Sequence, residues 1–125
     1  MVDKGLAQLG DALINFIYSA ARSRVLKKPS GVKVPDRVLS KALLMASPEK
    51  APRRLGLGGR GDLVEAEIAE AWLDGRITVD EAIDLVARHL KPEDFYTRRG
   101  EGEAAAKAIA ALLVEVRRRA DESRD

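Results

Sequence analysis

An all-α fold is predicted for this chain, on three observations. Apolar residues recur at three- and four-residue steps in five separate stretches, the period of a helix with one buried stripe. Cap and stop residues stand where such helices would begin and end. No run alternates for long enough to make a strand, and Gly31 to Val34 is the only hint of extension.

Leu6, Leu9, Leu13, Phe16, Ile17 and Ala20 form the stripe of a first helix from about Asp3 to Val25, with Asp3 as its N-cap. Pro29, Gly31 and Pro35 break the segment from Lys27 to Pro35 into a loop. A second helix, about Pro35 to Ala46, turns Val38, Ala42 and Leu43 inward. Ser47 to Gly59, with its prolines and glycines, is the longest expected loop. The third helix begins near Gly61, turns Val64, Ile68, Ala71 and Trp72 inward and stops at Gly75, a C′ glycine. Thr78 with Glu81 makes a capping box for a fourth helix that carries Ile83, Val86 and Leu90 and stops before Pro92. Pro92 to Glu103 reads as a polar connection with one short turn near Phe95. A long last helix, about Glu103 to Asp121, buries Ala106, Ile109, Leu112, Leu113 and Val116.

At 125 residues, 46% of them hydrophobic, the chain is read as one domain over 1–125. The absence of cysteine leaves disulfides out, and no apolar run reaches the roughly 20 residues of a membrane span. With no signal-peptide pattern at the start, a cytoplasmic location is expected. A net charge of +2 says little about partners, but the basic residues cluster: Arg22, Arg24, Lys27 and Lys28; Arg53, Arg54 and Arg60; Arg98 and Arg99; Arg117, Arg118 and Arg119. Such groups either neutralise phosphates or remain solvated surface. The first two flank the helices that carry the next feature.

Two helical stretches place carboxylates among apolar residues: Leu6 to Leu13 around Asp11, and Gly61 to Ala66 around Asp62 and Glu65. An unpaired charge is costly there. Asp62 and Glu65 stand at i and i+3, on one helix face. With Asp11 opposite them, three oxygen ligands would converge on one hard cation, and magnesium suits such a set. The competing reading of Asp62 and Glu65 is an acidic first turn that complements the helix dipole.

The Leu9-Gly10-Asp11-Ala12 core resembles the signature helix of ribonuclease III nuclease domains. Asp62-Leu63-Val64-Glu65-Ala66, followed by Ala71-Trp72-Leu73-Asp74-Gly75, is similar to that family's second metal-binding helix. The signature regions are 3–25 and 61–75, and short Mini-III-type and archaeal ribonuclease III-like proteins are nearest in length and pattern. The resemblance implies a homodimeric, all-helical endonuclease that cuts double-stranded or hairpin RNA and leaves a 5′-phosphate and a 3′-hydroxyl. Asp11, Asp62 and Glu65 would be its catalytic and metal-binding residues, with Mg2+ as the ion and Mn2+ as the alternative. No counterpart of the double-stranded RNA-binding domain of longer members is expected.

The pattern also departs from the family. Longer members carry glutamates four and seven residues before the signature aspartate, where this chain has Ala7 and Lys4. Mini-III-type sequences share the alanine. Lys4 and Lys41, with Arg53, Arg54 and Arg60, are the expected RNA contacts. The departures keep open a catalytically inactive RNA-binding or ribonucleoprotein component, and a helical interaction protein without RNA stands as a third class.

Gly56 to Gly61 matches G-x-G-x-x-G, but no strand precedes it, so a dinucleotide site is not expected. His89, near a helix end, is read as complementing the dipole. Phe16, Tyr18 and Trp72 are read as core or interface residues.

Overall fold

The computed structural model describes residues 2–47 and 55–123. Five α-helices appear, α1 (Lys4–Leu26), α2 (Asp36–Ala46), α3 (Leu57–Leu73), α4 (Val79–Arg88) and α5 (Arg98–Ser123), with one 3-10 turn at Pro92–Phe95. No strand occurs among the described residues.

The ends follow local chemistry. Asp3 Oδ1 accepts from Leu6 N at 3.0 Å and starts α1. Thr78 and Glu81 form the full capping box of α4. Gly75, at φ +73°, closes α3 in a Schellman turn, with Arg76 N donating to Ala71 O and Gly75 N to Trp72 O.

The helices touch in a ring, α1 on α3, α3 on α2, α2 on α5, α5 on α4 and α4 back on α1. The α1–α3 pairing is the most extensive. Ile14, Val64, Ile68, Val86, Leu112, Leu113 and Val116 fill the middle. Buried Ala104, Ala105, Ala106, Ala108 and Ala110 let α5 lie close to its neighbours.

Three expectations are corrected. The inward face of α1 is Gly10, Ile14, Ile17, Tyr18 and Ala21, one residue on from the predicted stripe, which rotates it by about 100°. Phe16 is accordingly 58% exposed, and Leu6, Leu9 and Leu13 are half-buried. Trp72 on α3 is likewise exposed. The first helix has apolar residues on two faces, so periodicity alone selects the wrong one. Second, α3 begins at Leu57, four residues early, and takes in Gly58, Gly59 and Gly61, at the last of which a Cβ would lie 3.0 Å from Asp36 Oδ1. Third, α5 begins at Arg98 rather than Glu103, with Thr97 Oγ1 accepting from Gly100 N at 2.9 Å.

Polar ties hold the ring. Tyr18 Oη donates to Glu101 Oε2 at 2.8 Å, and Arg22 Nε donates to the same atom at 2.9 Å. Burial works to raise the Glu101 pKa, but these hydrogen bonds outweigh it and hold it below the ordinary value. Their contribution is full above the unfolded glutamate pKa, about 4.3, and is lost as pH falls through the lowered folded value. Tyr18→Phe is expected to cost about 1.5 kcal/mol in denaturant unfolding at neutral pH, and less at about pH 3.

The run Arg117 to Arg119 is structural. Arg117 forks onto Glu67, at 2.7 and 3.0 Å, and also binds Ala46 O and Ser47. Arg118 pairs with Glu115 and Glu122, and Arg119 with Glu81 and Glu115.

Candidate active site

Gly10 decides where the carboxylates meet. A Cβ there would lie 1.8 Å from the Glu65 carbonyl oxygen, so only glycine lets α1 cross α3 at this height. The crossing sets Asp11, the next residue, beside Glu65. The Asp11 carboxylate lies close enough to act on the Glu65 carboxyl group.

Glu65 is one of the two buried polar residues among those described, 6% exposed. Burial is the main cause that pushes its pKa up, to about 8; the hydrogen bond with Asp11 adds to this, and the negative charges of Asp11, Asp62 and Asp36 add further. At neutral pH Glu65 therefore keeps its proton.

Asp11 is positioned from its other side. Asn15, one turn along α1, donates from Nδ2 to Asp11 Oδ1 at 3.2 Å. Its Oδ1 accepts from Val34 N at 2.8 Å. Asn15 thus ties the aspartate to the segment that leads into α2, whose first residue is Asp36. Gly61, buried and without a Cβ, leaves room for the Asp36 carboxylate against α3.

Asp62 stands one turn before Glu65, exposed. Because α3 starts at Leu57, Asp62 and Glu65 lie beyond the first turn, where the helix dipole acts on side chains. The acidic-first-turn reading of these two residues is therefore overturned.

Four carboxylates from three helices thus face one region: Asp11, Asp36, Asp62 and Glu65. Among the described residues none of them has an ion pair. Nor do three of them converge closely enough, as they stand, to form a ligand set. All four are carboxyl oxygen donors, the type that could hold a hard cation.

The expected RNA contacts are differently placed. Lys4 is exposed at the first turn of α1. The Lys41 ammonium pairs with Glu103. Arg60 is held by Ser40 Oγ and by Leu55 O at 2.7 Å, so its guanidinium serves the α2–α3 contact. Arg53 and Arg54 lie outside the described residues. The glycine-rich run 56–61 belongs to the start of α3, and His89 Nδ1 meets Leu85 O at 2.9 Å.

Sequence reasoning misses Asp36, Asn15 and the packing role of Gly10. Asp36 looks like an ordinary first-turn acid, and only the crossing of α2 over Gly61 brings it to the site. Gly10 sitting within a helix, directly before an aspartate, is the one available signal of close approach.

Compared with models of protein families, residues 4–122 match the family described as Ribonuclease III, a span that holds all four carboxylates. A search of curated proteins finds no match.

Proposed function

Since the chain belongs to the ribonuclease III family over residues 4–122, we propose that it is a divalent-metal-dependent endoribonuclease acting on double-stranded or hairpin RNA. Asp11, Asp62 and Glu65 would hold the ion, Mg2+ or alternatively Mn2+. The observation that carries this reading is Glu65, 6% exposed at the Gly10 crossing and holding its proton amid the charges of Asp11, Asp36 and Asp62, with no ion-paired cation among the described residues. A divalent ion would replace that proton and balance the charge.

A bound magnesium supplies an activated water and stabilises negative charge developing on the scissile phosphate. The chain's own part is to orient and to dry the site. Asn15 fixes the Asp11 carboxylate, and the α1–α3 contact at Gly10 keeps Glu65 out of bulk water. Asp62, exposed one turn before Glu65, would be the third residue to hold the ion. Duplex RNA would be recognised by shape and backbone. No helix among the described residues is long and apolar enough to cross a membrane, and the proposed RNA-processing role would be a cytoplasmic one.

The test is cleavage of an end-labelled RNA duplex, with magnesium or with chelator. Cutting only with magnesium is expected. The rival, an inactive RNA-binding component, is favoured by Lys4 and Ala7 at the two upstream positions and by the absence of a preformed three-ligand set among the described residues. It predicts duplex binding without cutting. A protein that does not bind duplex even at low salt would end both readings.

The homodimer belongs to the same proposal. Phe16, 58% exposed beside half-buried Leu9 and Leu13, leaves α1 an apolar outer face that a second copy would cover. Phe16→Glu is expected to shift the mass measured by light scattering from two chains to one. A dimer that survives the substitution would place the interface elsewhere.

A further inference from the structure

Two adjoining cavities of about 470 and 360 Å³ open between α2 and the start of α5, with Arg37, Val38, Arg98 and Gly102 common to both walls. Six cations line them against two carboxylates, and those two are already committed: Glu101 to Arg22, Glu103 to Lys41. Lys33, Arg37, Arg98 and Arg99 have no ion pair among the described residues. Four positive charges without an ion pair around one concave surface form a strong field for an anion. The 26-residue helix α5 begins at this groove, and its dipole adds to that field.

Gly102 is the second, independent observation. Glycine inside a helix is destabilising relative to alanine and needs a reason. At Gly100 the reason is packing, since a Cβ would lie 3.0 Å from Thr97 Oγ1 and 3.1 Å from Asp94 O. At Gly102 packing gives none: a Cβ would come no nearer than 4.0 Å, to Val38 Cγ2. The floor of the groove is bare where the protein itself does not require it. A bare helix surface among arginines admits a close-lying phosphodiester chain.

The groove is also close to the carboxylates. Arg37 follows Asp36 directly, their Cα atoms about 3.8 Å apart. Asp36 lies against α3 and Arg37 lines the groove toward α5, so the two sites are separated by the width of α2, about 10 Å with its side chains.

We infer that the α2–α5 groove binds the sugar–phosphate backbone of RNA next to the cleavage site, with Arg37, Arg98 and Arg99 as its phosphate contacts and Gly102 as its seat. The identity of the polyanion rests on the ribonuclease reading. The contacts are to backbone, so they add affinity without sequence preference.

The test is fluorescence anisotropy of a labelled RNA duplex, without divalent metal, across a salt series. Arg37→Ala combined with Arg98→Ala is expected to weaken binding about tenfold or more, equally for unrelated sequences, and to flatten the dependence of log affinity on log salt by about two. With magnesium, KM should rise while kcat at saturating RNA stays as in wild type. Gly102→Ala is expected to raise Tm and yet weaken binding several-fold, a pairing that a structural role cannot produce. If wild type binds and cuts RNA, but these variants bind it with unchanged affinity and salt slope, the groove assignment is wrong and the nuclease reading stands. If wild type binds no duplex, both fall together.

Discussion

Glu65→Gln and Asp11→Asn are each expected to abolish RNA cutting, by at least about 10²–10³-fold in kcat, without unfolding the protein. Each substitution keeps shape and replaces a carboxyl oxygen that could bind a cation by an amide that binds one poorly. The metal-free wild type should itself reveal the crowding of carboxylates. Folded Glu65 has its pKa pushed up to about 8, above the unfolded value of about 4.3. Between those values the folded state keeps a proton that the unfolded state has released. The stability associated with Glu65 is thus full below about pH 4.3, declines as pH rises and is gone above about pH 8. Tm of the metal-free protein should fall from about pH 5 to about pH 9 on this account, and Glu65→Gln should flatten the fall, because its amide does not titrate. Saturating magnesium should flatten it in wild type too, with proton release seen by calorimetry in buffers of different ionisation enthalpy. Undiminished cutting by either variant would move the catalytic site elsewhere. A Tm profile that does not differ between wild type and Glu65→Gln would remove the buried proton.

Gly10→Ala carries the largest expected effect on stability. The added methyl would lie 1.8 Å from the Glu65 carbonyl oxygen and 2.7 Å from its Cα, so α1 and α3 must move apart along their whole contact. Backbone cannot yield as a side-chain end can. A loss of about 3 kcal/mol or more is expected, and a fall in Tm of about 10 °C. Activity should fall further than stability explains, since the separation also parts Asp11 from Glu65, and a misplacement of about 1 Å can cost roughly 10²-fold in rate. Gly31→Ala is the control, with nothing within 4 Å of its would-be Cβ. A Gly10→Ala protein with wild-type Tm and activity would mean that the crossing is not as close as described.

Much of the fold is legible in the chain itself. Helical periodicity, Asp3, the Thr78–Glu81 box and Gly75 each act within a few residues, and each stands in the fold as expected. Asp62 and Glu65 stand one turn apart on α3, a spacing that depends only on helix pitch, with Asp62 exposed and Glu65 buried. Resemblance to ribonuclease III marks Asp11 as their partner on another helix. Phe16 and Trp72 depart from expectation because a side chain's environment depends on which neighbour covers it, and hydrophobicity does not name the neighbour. The arginines show the same limit. Arg117, Arg118 and Arg119 read as a basic patch, but carboxylates on α3, α4 and α5 consume them, whereas Arg37 belongs to no run in the sequence and stands unpaired among the described residues.

Helix content, helix ends and the single-helix spacing of carboxylates are properties of short segments, and local chemistry is enough to specify them. Which faces meet, that Asp36 joins Asp11 and Glu65, and that the last helix builds a cationic groove against the second come from packing alone. The reason is distance along the chain. Asp11 and Glu65 are neighbours because Gly10 lets α1 approach the α3 backbone more closely than any side chain would allow, and Gly61 leaves room beside α3 for the Asp36 side chain; neither approach is encoded in a pattern of neighbours.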